Sequence, residues 1–180
     1  MSLKDLTHEK HRSTERTEFS KLLLSGSITK EKYAEYLYQL VLVYNGLESV
    51  AKSLGLLEGL SDIERTNNIY QDVIELVGTN HSLSWNQGTI DYYKYLLNLV
   101  NDADAKNKVM AHVYVRHMGD LYGGQILSKR VPGQGRFYKF KDVESLKNAI
   151  RSKLDDSMGD EANIAFDYAI KIMEELTHAE

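Results

Sequence analysis

One stretch of this chain concentrates groups that could do chemistry: Gly119-Asp120-Leu121-Tyr122-Gly123-Gly124. Glycines at i, i+4 and i+5 of a helix strip one face of side chains, so backbone there can approach a flat object closely, or bend. Each interior glycine costs about 1 kcal/mol against alanine, which asks for a local purpose. Two plainer readings stand beside this one. The helix could end at Gly119, but Leu121, Gln125, Ile126 and Lys129 continue a helical spacing and no proline interrupts it. Small residues could instead let two helices pack closely. Asp120 separates the readings: a carboxylate beside bare backbone can hold a hydrogen-bonded water network over that face, and a packing contact has no use for it. Far upstream stands His11, one of six histidines. An unassigned histidine is more often a surface or core residue than a ligand. Lys147 and Arg151 are four apart and share a helix face, which by itself reads as a solvated basic stripe. There is no cysteine. Disulfides, iron–sulfur clusters, thiolate–zinc sites and a cysteine nucleophile are thereby excluded.

The elements that must position these groups read as helices. The single proline, Pro132, and apolar residues recurring at helical spacing predict an all-α, single-domain chain over residues 1–180. Apolar residues make up 42% and charged residues 27%, the balance of a folded domain with a sizeable core. A first helix is expected over residues 2–24, opened by the Ser2/Asp5 pair and closed by Gly26. A second starts at Thr29, with Ile28 and Tyr33 as a hydrophobic staple, and buries Tyr33, Leu37, Leu40, Tyr44, Leu47 and Ala51. A third opens at Ser61 with Glu64 as a capping box and buries Ile63, Tyr70, Val73 and Val77 before Gly78. Thr89 caps a fourth, and the fifth runs over about 104–129. A turn-rich connector, 131–135, leads to an aromatic segment, 136–140, and two further helices over 143–157 and 160–176. No repeat, low-complexity tract or linker divides the chain.

The formal charge of -4 gives no support to a nucleic-acid partner. No run approaches the roughly 20 apolar residues of a membrane span. The acidic start Met1-Ser2-Leu3-Lys4-Asp5 lacks an apolar signal region, and Thr177-His178-Ala179-Glu180 carries no hydrophobic tail. The expectation is a cytoplasmic protein without a membrane anchor, or one of the plastid stroma if a transit peptide has been removed.

The run Tyr114-Val115-Arg116-His117-Met118-Gly119-Asp120-Leu121-Tyr122-Gly123-Gly124-Gln125-Ile126-Leu127 closely resembles the distal-helix signature of the haem oxygenases. His11-Arg12-Ser13-Thr14-Glu15-Arg16-Thr17-Glu18-Phe19 is similar to the family's proximal segment, whose leading histidine binds iron. Tyr44 with Leu47-Glu48, Phe166 and Met173-Glu174-Glu175-Leu176 match later helices, while residues 52–108 resemble the family only weakly. The resemblance implies a haem oxygenase-like fold with haem sandwiched between proximal and distal helices. It makes His11 the iron ligand, with Glu15 orienting its ring and His8 its only competitor. It places Lys4, Tyr114, Lys147 and Arg151 on the haem propionates and Phe166 in the haem-binding set. Asp120, Tyr44 and Arg116 would form the distal network, and the backbone of Gly119, Gly123 and Gly124 would crowd bound oxygen towards the ring edge. Haem is then both cofactor and substrate, with O2 as co-substrate. It is cleaved at the α-meso carbon to biliverdin IXα, carbon monoxide and ferrous iron.

The implied electron donor is reduced ferredoxin, meeting a basic rim of Lys4, Arg12, Lys147, Arg151 and Lys153, and a bilin reductase stands downstream. Three positions depart from the pattern. Tyr122 replaces a small serine, His117 replaces an aromatic residue, and the connector after the distal helix is short. His112 and His117 are expected to be structural or solvent-facing, because either one on the iron would block oxygen. A haem carrier on the same fold would not need Asp120, and the thiamin-degrading enzymes of similar fold need a cysteine that is missing here.

Overall fold

A computed structural model of the chain describes residues 1–179. It is helical throughout, with no strand among the described residues. Helix α1, Leu3–Glu15, begins as its sequence predicts. Ser2 Oγ accepts from the Asp5 backbone N–H at 3.3 Å, and the Asp5 carboxylate takes the Ser2 N–H at 3.1 Å. The Ser2 hydroxyl, which donates to the Asp5 carboxylate at 2.6 Å, and then the Ser2 N–H hold that carboxyl below its usual pKa.

The expected helix over 2–24 is in fact two. Thr17 adopts an extended conformation and accepts from the Ser20 N–H at 3.2 Å, opening α2, Glu18–Ser25. A threonine hydroxyl competes with the helix for backbone groups, and here it wins. Gly26 closes α2 at φ 75°, in the left-handed region. Helix α3, Lys30–Ser53, is capped by Thr29, and Tyr33, Leu37, Leu40, Tyr44, Leu47 and Ala51 are all buried along it, as the spacing requires.

The third and fourth predicted starts were misplaced for one shared reason. Helix α4 is Thr66–Val77, and the region around Ser61 is a series of turns. Its first N–H groups are satisfied from α3: Glu48 accepts from the Arg65 and Thr66 backbone at 2.8 and 3.1 Å. The apolar stripe shifts accordingly. Ile69, Val73 and Leu76 are buried, whereas Tyr70 is exposed. Helix α5, Gln87–Asn98, starts two residues before Thr89. Glu175 takes the Gly88 N–H at 2.9 Å, and Gln39 takes both the Asn86 N–H and the Thr89 hydroxyl at 2.8 Å. Both helix ends are thus served by side chains distant in sequence.

Helix α6, Ala105–Leu127, runs unbroken through all three glycines. The aromatic segment forms a single 3-10 turn, Arg136–Tyr138, pinned where Asp72 accepts from the Arg136 and Phe137 N–H groups at 3.0 and 2.9 Å. Helix α7, Val143–Arg151, is shorter than expected and is followed by a 3-10 turn, Asp156–Met158. Helix α8 is Gly159–His178.

The buried side chains of all eight helices join in one core. Helix α3 packs on α4, α5 and α6, while α8 supports α1, α2, α5 and α6. Helices α1 and α6 therefore lie against a common floor without packing on one another over any length. No described helix is long and apolar enough to cross a membrane.

Candidate active site

The face of α6 above that floor is bare where the glycines predict. A side chain's first carbon added at Gly119 or Gly123 would meet nothing within 4 Å. Gly124 is different. An added carbon there would lie 2.5 Å from the Tyr138 ring, so its missing side chain admits Tyr138 against the helix. Assigning Gly124 to the open face is corrected accordingly: two glycines leave space, and the third packs.

Asp120 is buried beside this face. Its carboxylate accepts from the Tyr44 hydroxyl at 2.6 Å, and burial pushes its pKa up to about 7, only partly offset by that bond and by the charge of Arg116. Tyr44 is fully buried on α3, and its hydroxyl is held well above its ordinary pKa by burial and by the Asp120 charge. The Arg116 guanidinium lies 5.5 Å from the Tyr44 ring centre. The three distal residues named from the sequence are thus brought together by α3 and α6.

The two flanking histidines are both wholly buried, which removes the solvent-facing option for each. His112 bridges the Tyr92 hydroxyl at 2.7 Å and Glu161 at 2.9 Å, and Tyr95 donates to the same carboxylate at 2.6 Å. His117 stands edge-on to Tyr44 at 5.1 Å; burial lowers its pKa to about 3, so it is neutral. Neither its ring nitrogens nor Arg116 Nε finds a hydrogen-bond partner among the described residues. Donors and acceptors for a buried polar network are therefore available next to Asp120.

On α1, 57% of the His11 side chain is exposed. One ring nitrogen lies 3.5 Å from Glu15, one helical turn on, which leaves the other free. The Phe166 ring on α8 is 5.7 Å away, making a wall beside it. His8, one turn earlier, is also exposed. No group of three or more metal-binding side chains occurs among the described residues. A lone free imidazole suits a metal that brings its other ligands with it, and a planar macrocycle matches the bare Gly119/Gly123 face.

The basic residues divide. Lys147 and Arg151 on α7 face Tyr122 of α6: the ammonium lies 3.8 Å from the ring centre and the guanidinium 5.7 Å. Lys4 is exposed in the first turn of α1 and Tyr114 is half-buried on α6. Neither side chain pairs with another described residue, so the structure does not join them to Lys147 and Arg151.

Sequence reasoning missed Arg65, the largest fully buried side chain. It donates to the carbonyls of Asp62 at 2.6 Å, Lys139 at 2.8 Å and Phe137 at 3.2 Å, and stacks on Phe140. It thereby ties the start of α4 to the aromatic segment whose Tyr138 backs Gly124. The Asp62 carboxylate, three residues earlier, also accepts from it at 3.2 Å and is the one local sign of this role; its other acceptors are backbone carbonyls, which no side-chain pattern announces.

The fold and site define a helical protein with an exposed imidazole on α1 and, on α6, an open glycine face beside a buried carboxylate. The family model described as "Heme oxygenase" matches residues 1–175, and the chain belongs to that family. Among curated relatives, the heme oxygenase of Rhodella violacea is 28% identical over 205 residues, covering 98% of this chain and 86% of the relative. That of Porphyra purpurea is 27% identical, covering 97% and 84%. Among solved structures, heme oxygenase-1 of the cyanobacterium Synechocystis in complex with heme matches with a TM-score of 0.85 at 26% identity, over 97% of this chain and 90% of that one. The heme oxygenase of Leptospira interrogans matches with a TM-score of 0.84 at 27% identity, over 97% and 100%. The fold expected from the sequence is the one found, and haem is both cofactor and substrate of the activity this family carries.

Proposed function

We propose that residues 1–180 act as a single haem oxygenase domain. It cleaves haem at the α-meso carbon to biliverdin IXα, carbon monoxide and ferrous iron, with electrons from reduced ferredoxin. The observation that carries this reading is Asp120, a buried carboxyl poised near neutrality on an unbroken helix beside two glycines whose face is open.

Bound haem supplies the redox-active iron and the carbon framework that is oxidised. His11 would hold the iron through one ring nitrogen while Glu15 orients the ring through the other. Phe166 walls that side, and the backbone of Gly119 and Gly123 limits the space above the opposite face. Lys147 and Arg151, with Lys4 and Tyr114, would pair with the propionates. A ring anchored along one edge cannot rotate, so one meso carbon is presented to oxygen.

With its pKa near 7, Asp120 can both hold and release a proton at its carboxylate oxygen under working conditions. Tyr44 fixes that oxygen, and Arg116 and the neutral His117 each lie against the Tyr44 ring. A carrier of haem would have no need of a titrating acid in that place. The basic residues Lys4, Arg12, Lys147, Arg151 and Lys153 favour an acidic electron donor such as ferredoxin. The red algal and cyanobacterial relatives fit a place in the cytoplasm or plastid stroma, with a bilin reductase consuming the product.

The test is to add haemin, ferredoxin, its reductase and oxygen and to follow the absorption spectrum, with chromatography of the product. Wild type should form a haem band that converts to the IXα bilin. Asp120→Ala should form the band without converting it. A wild-type band that persists favours a carrier, and full turnover by the variant overturns the role given to Asp120.

A further inference from the structure

Resting on the haem reading above, we propose that Tyr122 is a positioning residue. It gathers Lys147 and Arg151 into a ready-made seat for two carboxylates at the rim of the open glycine face. Tyr122 precedes Gly123 directly and follows Gly119 by three residues on α6, so its ring stands at the edge of that bare surface. Tyr122 is 48% exposed, which core packing alone does not explain for so large an aromatic residue.

What it touches does explain it. The Lys147 ammonium sits 3.8 Å from the ring centre, and the Arg151 guanidinium carbon 5.7 Å. The two cations stand one turn apart on α7, where like charges repel. The electron-rich face of an aromatic ring attracts both and offsets that repulsion. A small side chain at position 122 would offer no such face.

The remaining partners point the same way. Lys147 pairs with Glu144 at 3.1 Å, and Arg151 with Asn148 at 3.0 Å, both on α7 itself. Glu144 is 73% exposed, yet the Lys147 side chain is only 12% exposed, so Glu144 is not what covers it. The Tyr122 ring is the contact on α6 that both cations share. An ammonium has three donors and a guanidinium five, so each keeps N–H groups for a carboxylate while resting on the ring. The pair would meet a planar dicarboxylate already collected, with less ordering left to do on binding. Tyr122 would thus set which rotation of the ring is seated.

The experiment titrates wild type, Tyr122→Phe and Tyr122→Leu with ferric haemin and with haemin dimethyl ester, whose propionates are neutral. Melting curves of the ligand-free proteins serve as the control for folding. Removing the aromatic face should weaken haemin binding about three- to tenfold, the range of a partly desolvated cation–π contact. Phenylalanine should bind as wild type does, and the ester should bind all three alike. In a Lys147→Gln/Arg151→Gln background, Tyr122→Leu should add nothing. Among products, the leucine variant should give a mixture of bilin isomers and the phenylalanine variant one.

Equal weakening for haemin and ester would make the ring a packing residue and overturn the inference. So would a leucine variant that binds haemin as tightly as wild type. Should Tyr122→Leu melt out, loss of the haemin-over-ester preference in Lys147→Gln carries the test, and its retention overturns the inference. A wild-type chain that binds no haemin overturns the functional reading and this one with it, which keeps the two failures apart.

Discussion

Replacing Asp120 with asparagine swaps a titrating buried group for a neutral one of nearly the same shape, still able to accept from Tyr44. Burial raises the Asp120 carboxyl from 3.8 to about 7. At 1.36 kcal/mol per pKa unit, keeping it ionised in place costs about 4 kcal/mol relative to water. A raised carboxyl pKa means that the folded chain binds the proton more tightly than the unfolded chain. The associated stability is therefore complete below pH 3.8, falls as pH rises, and is exhausted above about 7. Between pH 5 and pH 8, wild type should lose about 2–3 kcal/mol through Asp120 that the variant does not lose. For a chain of this length that corresponds to a Tm difference of about 5–10 °C. Glu48 is also raised to about 7 and titrates in the same window in both proteins, so apart from the small repulsion between the two carboxylates it cancels in the difference. The assay is thermal unfolding of the ligand-free proteins by circular dichroism at each pH, with haem titration and turnover alongside. The variant should gain on wild type from pH 5 to about pH 7 and level off by pH 8, bind haem, and fail to form bilin. A Tm difference that does not move with pH would refute the buried, near-neutral carboxyl on which the proton role rests.

The glycines make a paired prediction. Gly124→Ala should cost about 1–3 kcal/mol, because the added carbon strikes the Tyr138 ring, whereas Gly119→Ala and Gly123→Ala should stabilise the ligand-free helix by up to about 1 kcal/mol while weakening haem binding. Urea unfolding and haem titration check both, and a Gly124→Ala protein as stable as wild type would contradict the packing role. Glu48→Ala removes the acceptor for the Arg65 and Thr66 N–H groups. It should cost about 3 kcal/mol at pH 5 and less at pH 8, where wild type already bears the cost of ionised Glu48; a larger loss at pH 8 would reverse the sign assigned to its raised pKa. His11→Ala should shift the haem absorption band, and added imidazole should restore it; an unchanged spectrum would move the iron ligand elsewhere.

The chain by itself determined whatever depends on neighbours within a turn or two. Ser2 with Asp5, Thr29 and Gly26 mark helix ends through bonds or dihedrals confined to a few residues, and the α3 stripe follows from its 3.6-residue period. The glycines at 119 and 123, with Asp120 between them, likewise declared an open face, since an absent side chain and a charged one are visible as letters. Tertiary structure decided everything in which the partner comes from far away. Helices α4 and α5 start where Glu48 and Glu175 happen to reach, not where Ser61 or Thr89 would cap them locally. Gly124 reads like its two neighbours until Tyr138 arrives against it, and His112 and His117 read equally as structural or solvent-facing until α5, α8 and α3 close over them. The near-neutral carboxyl of Asp120 is of the same kind. Its sequence supplies a carboxyl group, but the exclusion of water that raises its pKa exists only once α3 lays Tyr44 across α6.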